Sequence, residues 1–166
     1  MKNDFRLSYP LWMMAFIVVL GVLAFGLNSP IAEFVNTESE TSLTIQLEAL
    51  DGFIVFCSII LYFGLMAVYL LRLRKHNKEN PSQKISPFAI RPPEYLEQDE
   101  GMTFITRKAV QKVYSFITLA LPTLAAFAIV LPVPRLLIIY GILAIAFGQY
   151  LIYYLEIRKH FKEETE

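Results

Sequence analysis

The chain has 166 residues, 55% of them hydrophobic and 18% charged, and its fifteen basic residues balance fifteen acidic ones. A soluble domain carries roughly 45–50% apolar and about 25% charged residues, so this composition argues against an ordinary water-soluble fold. The absence of a basic surplus gives no ground for a nucleic-acid partner. The single cysteine, Cys57, can form no intramolecular disulfide and reads as a small buried hydrophobe.

The apolar excess is gathered into four runs, Pro10–Leu27, Gly52–Leu71, Val113–Leu131 and Leu136–Leu155, each 18 to 20 residues long. At about 1.5 Å rise per residue, a helix of that length crosses the roughly 30 Å hydrocarbon core of a bilayer. A spanning segment must satisfy its own backbone, which a helix does internally. Trp12–Gly26 and Gly52–Leu71 are apolar all round, which a soluble four-helix bundle with its polar faces does not allow. No series of alternating segments suggests a membrane barrel. The expected fold is all-α: one integral membrane domain, residues 1–166, with four transmembrane helices.

In chain order, Lys2 and Arg6 precede the first run. With Ala24-Phe25-Gly26 they resemble a signal peptide and its cleavage site, but the apolar stretch exceeds the usual h-region and favours a resident helix. Pro30, after Asn28 and Ser29, is a stop for that helix. The acidic outer loop 28–51 holds Glu33, Glu38, Glu40, Glu48 and Asp51 and no basic residue. Leu43, Ile45 and Leu47 alternate as in a strand, while Leu43, Leu47 and Leu50 also fit a helical face with Thr41 or Ser42 as its cap. Both readings stand.

The basic loop 72–112 has two characters. Residues 76–93, with Pro81, Pro87, Pro92 and Pro93, read as an exposed linker. From Glu94 onward, acids precede Arg107, Lys108 and Lys112, the order a helix dipole favours. A helix capped by Thr103 and running into the third span is expected. Pro132-Val133-Pro134-Arg135 is too short for anything but an antiparallel link between the third and fourth spans. The tail after Leu155 extends the fourth helix.

Of the fifteen basic residues, Arg135 alone lies on the side of the outer loop; the other fourteen lie at the opposite helix ends. Positive residues stay cytoplasmic, so both termini and the loop 72–112 are expected there, with the chain in the cell membrane.

No Asp, Glu, Lys, Arg or His lies deep in any run, which removes the usual marker of a proton-coupled transporter or a haem-binding helix. The milder polar residues Gln149, Tyr62, Thr118 and Thr123 are candidates for a polar lining, or for inter-helix hydrogen bonds of about 0.6–2 kcal/mol each. Gly141, Ala144 and Gly148 make a smooth stripe suited to close helix packing, either within the bundle or between copies, with Gly21, Gly26, Ala120, Ala125 and Ala128 as partner surfaces. Pro122 removes a helix hydrogen bond in mid-span and is read as architecture. The tyrosines toward the end of the fourth span suit an interfacial belt. Lys112 and Glu156 sit at span ends, where they can reach water. Neither His76 nor His160 has a cysteine nearby, and no catalytic, metal or cofactor site is expected.

The leading functional expectation is a non-enzymatic accessory or regulatory subunit of a membrane complex, its partners being the bilayer and other membrane subunits or itself. The alternatives are a small oligomeric transporter or channel, and a lipid-acting enzyme using the acids of Glu94–Glu100. For the orientation, a membrane-impermeant thiol reagent applied to intact cells is expected to modify cysteine at Glu38 and to spare cysteine at Ser82, in a Cys57→Ser background. The reverse pattern overturns the orientation.

Overall fold

The protein is described here from a computed structural model, in residues 5–28, 32–37, 40–45, 49–81, 84–86 and 100–163. The elements are α1 (Phe5–Gly26), β1 (Ala32–Thr37), β2 (Glu40–Ile45), α2 (Ala49–Glu79), α3 (Glu100–Val130) and α4 (Arg135–Glu163). All four helices are long and apolar enough to cross a membrane. Pro30, Leu47, residues 87–93 and the acids Glu94, Glu97 and Asp99 lie outside the described residues.

Every helix outruns its apolar stretch. The eight residues after Leu71 stay helical, since Lys and Arg are good helix formers and His76 and Lys78 in the last turn suit the dipole. The helix stops where the Asn80 N–H donates to the His76 carbonyl at 2.8 Å and Pro81 follows. The beginning of 76–93 is therefore helix rather than linker. Thr103 does not cap α3, which begins three residues earlier at the acidic Glu100, a charge favoured at a helix start. α1 begins at Phe5 and contains Pro10 within it.

In the loop between α1 and α2 the strand reading holds. β1 and β2 pair antiparallel, with Asn36 opposite Thr41 and Val35 opposite Ser42, so neither Thr41 nor Ser42 caps α2. The run of β-branched Thr41, Thr44 and Ile45 suits an extended chain. At the other link, α3 ends at Val130 and Leu131 donates to the Phe127 carbonyl at 3.0 Å. The Pro134 carbonyl accepts the first bond of α4, from Leu137 at 2.9 Å.

The helices neighbour one another in the order α2–α1–α4–α3; α2 and α3 do not form a packed pair. Contacts between Tyr9 and Tyr150, and between Gly21 and Tyr140, make α1 and α4 antiparallel. The starts of α1 and α3 and the ends of α2 and α4 thus share one end, the basic end. The strands and the proline turn mark the other, the hairpin end.

The outer helices bury one stripe each. On α2, Val55, Ser58, Tyr62, Met66, Tyr69 and Leu73 recur at spacings of three and four; on α3, Ala109, Val113, Phe116, Ala120, Leu124 and Ala128 do the same. Such a seam lets side chains of one helix sit between those of the next. Glycines set the closest approaches. A methyl group built on Gly148 would stand 2.9 Å from the Phe116 ring, and one on Gly141 would stand 2.5 Å from Leu124. On Gly26 it would meet Val55 at 2.9 Å and the Asp51 carbonyl at 3.3 Å. Gly64 on α2 has nothing within 4 Å.

These glycines are expected to respond oppositely. Gly148→Leu must displace Phe116 and should cost about 1–3 kcal/mol through overpacking. Gly64→Ala should add about 0.5–1 kcal/mol through helix propensity alone. Unfolding titrations in detergent read both; equal effects at the two positions would refute the α3–α4 packing.

Candidate functional site

The sequence candidates are spread over three helices. Tyr62, half-buried on α2, meets the Phe16 ring of α1 at 5.3 Å between centroids. Thr118 and Thr123 are exposed on α3, and the Thr123 hydroxyl donates to the Leu119 carbonyl at 2.7 Å. Gln149 is half-buried on α4. Among the described residues no hydrogen bond or ring contact joins any two of the four. Pro122 lies exposed within α3 without ending it, and withholds the bond that would reach the Thr118 carbonyl. Gly141 and Gly148 receive the α3 side chains Leu124 and Phe116. Ala144 instead borders a groove on the α1 side of α4.

That groove, of about 600 Å³, lies toward the hairpin end and is lined by Val18, Gly21, Val22, Phe25, Ile54 and Phe147 among others. Its one polar side chain, Tyr140, donates to the Gly21 carbonyl at 3.1 Å. The hydroxyls of Ser58 and Ser115 likewise donate within their own helices, to Ile54 and Gln111 at 2.7 and 3.0 Å. The hydroxyls of Ser58, Ser115, Thr123 and Tyr140 are thereby satisfied by backbone carbonyls.

The chemistry concentrates at the basic end. Lys112 of α3 donates to the carboxylate of Glu156 on α4. Glu156 is 9% exposed, whereas the Lys112 side chain is half-exposed. Beside them Ala109, Tyr153 and Ile157 form a buried cluster joined by Ile105 and Val113, so the pair is sheltered by hydrocarbon on one side and open on the other. Across the bundle, the Arg72 guanidinium lies 5.3 Å from the centre of the Trp12 ring, and Trp12 meets Tyr69 edge-on at 6.1 Å. Arg158 similarly overlies Tyr154 at 6.0 Å. Cations held over aromatic faces keep their charge at the rim while their stems stay in apolar surroundings.

Lys112, half-exposed, reaches water as its place at a span end suggested, whereas Glu156 is buried and paired with it. The signal lay in the turn: Lys112 is 20 residues before Pro132 and Glu156 is 22 after Pro134, so folding the hairpin at its prolines brings them level. The arrangement can fix hairpin register and present a half-open ion pair at the basic end. Neither role requires bond-making chemistry.

Removing one partner of a sheltered pair costs more than removing both, because a buried charge loses its counter-charge. Lys112→Met is expected to destabilise the detergent-solubilised chain by about 2 kcal/mol, and the double variant Lys112→Met with Glu156→Leu to recover most of that loss. Additive losses in the double variant, measured by the same unfolding titration, would show that the two side chains do not act as a pair.

Compared with known family models, with curated proteins and with solved structures, the chain matches none.

Proposed function

We propose that the chain inserts into the cell membrane four times, with its basic end cytoplasmic, and serves there as a non-enzymatic subunit that binds other membrane-embedded helices. The observation that carries this reading is the open row. α2 and α3 each bury one narrow stripe, and the faces they leave uncovered are broad and apolar. Phe53, Phe56 and Phe63 on α2 are about two-thirds exposed, and Leu119 and Ile129 on α3 are 74% and 84% exposed. In water such surface would cost roughly 25 cal/mol per Å², and monomeric soluble proteins rarely carry patches of this extent. Lipid tails relieve that cost. They also leave helix partners to be chosen by fit, where a bare site such as Gly64 admits close approach.

The polarity of the helices favours a binding role over a catalytic or transport role. The hydroxyls of Ser58, Ser115 and Thr123 return to their own backbones, that of Tyr140 bonds the backbone of the neighbouring α1, and the ion pair lies at the basic end rather than at mid-depth. The oligomeric-channel reading draws on one feature, the exposure of Thr118 and Thr123 on the outer side of α3, where only a second chain could enclose them.

Purification of the tagged full-length chain in mild detergent is expected to retain a stoichiometric membrane-protein partner, and Gly64→Trp to release it while leaving the fold intact. A chain that emerges alone and monomeric from native membranes contradicts the proposal.

A further inference from the structure

Residues 84–86 lie back against α2, and a single side chain receives them. The Asn77 amide Nδ2 donates to the Ile85 carbonyl at 2.7 Å, while the Ile85 N–H donates to Asn77 Oδ1 at 2.8 Å. One carboxamide thus serves both backbone groups of one residue, as a neighbouring strand does for an extended peptide. The Ile85 side chain, 6% exposed, packs on Leu73, 2% exposed, with Tyr9 of α1 and Tyr69 of α2 against the same cluster. Lys84 and Ser86 on either side are exposed. This is the alternation of an extended segment laid on a surface.

The cluster sits where three helices meet. Tyr9 also meets Tyr150 of α4 at 6.3 Å, and Tyr69 meets Trp12 and Phe16 of α1 at 6.1 and 6.0 Å. The segment that docks there belongs to the connection into α3, the helix whose main packing partner is α4.

We infer that the basic end of the α1–α2 pair is a docking notch for an extended segment with one aliphatic side chain, and that the chain fills it with its own Lys84–Ser86 as a latch. Asn77 reads the backbone, and the hollow over Leu73, Tyr9 and Tyr69 takes the side chain. Closed, the latch ties the start of the α2–α3 connection to the α1–α2 half of the row, away from the main packing of α3 on α4. Open, it presents a donor, an acceptor and an apolar hollow together at the basic end. The inference stands apart from the membrane-subunit reading, since it concerns contacts within one chain.

Hydrogen exchange and trypsin cleavage on the full chain in detergent test it. In the unaltered chain the Ile85 amide should exchange at least about tenfold more slowly than in Asn77→Ala, matching the loss of two hydrogen bonds, and cleavage after Lys84 should be slower to a similar degree. Asn77→Asp keeps the acceptor for the Ile85 N–H but loses the donor to its carbonyl, and should fall between the two. Ile85→Ser should behave like Asn77→Ala. An Ile85 amide that exchanges at the rate of an unstructured peptide in the unaltered chain overturns the latch without any substitution. So does cleavage after Lys84 at one rate in all four proteins.

Discussion

Backbone hydrogen bonding in an apolar setting is the constraint from which the rest of this structure follows. A peptide group buried in hydrocarbon without a partner costs several kcal/mol, and a continuous helix is the arrangement that pairs nearly all of them locally. The chain accordingly keeps its irregular backbone to the ends of the rods, where α1 ends near Gly26, α2 at Glu79 and α3 at Val130. The hydroxyls of Ser58, Ser115 and Thr123 obey the same rule by bonding one turn back in their own helices.

Once the helices exist, shape decides how they associate. Lipid tails are as apolar as leucine, so burial alone gives little reason for one such helix to prefer another. Close packing does. Gly148 against Phe116, Gly141 against Leu124 and Gly26 against the first turn of α2 are the points of nearest approach. Aromatic contacts among Trp12, Phe16, Tyr62 and Tyr69 fill the α1–α2 seam. The two inner helices, α1 and α4, each serve two neighbours, and the two outer ones serve one. An open row with uncovered flanks is the outcome, and it is the basis on which a partner-binding role is proposed. Polar contacts then fasten the basic end, through Lys112–Glu156 on one side and Asn77–Ile85 on the other.

What could be read from the residues was what depends on local pattern. Four apolar runs of span length gave four helices, because mean apolarity over 18 residues is a strong signal, and Pro132 and Pro134 bracketed a turn because two prolines so close together withhold two backbone donors and restrict the residues before them. The loop after α1 was ambiguous because Leu43 and Leu47 fit both periods; pairing with Ala32–Thr37, a long-range event, decided for strand. Thr103 was misread as a cap since the acidic Glu100 already starts α3. The latch was illegible: one isoleucine among Gln83, Lys84, Ser86 and Pro87 has no periodicity, and a single asparagine such as Asn77 among charged residues carries no signal of a distant backbone partner. The ion pair was recoverable from hairpin register. The short proline link paired α3 with α4, but the packing of α1 on both α2 and α4 was not legible, since Trp12–Gly26 and Gly52–Leu71 are apolar on all sides.

The packing and the uncovered apolar faces make sense only with these rods lying in a lipid bilayer. Membranes from cells making the full chain, washed at alkaline pH to strip peripheral proteins and then centrifuged, give the most direct measurement. The chain is expected to stay wholly with the membrane pellet and to enter solution only when detergent is added. Its appearance in the aqueous wash, folded and without detergent, would contradict the account.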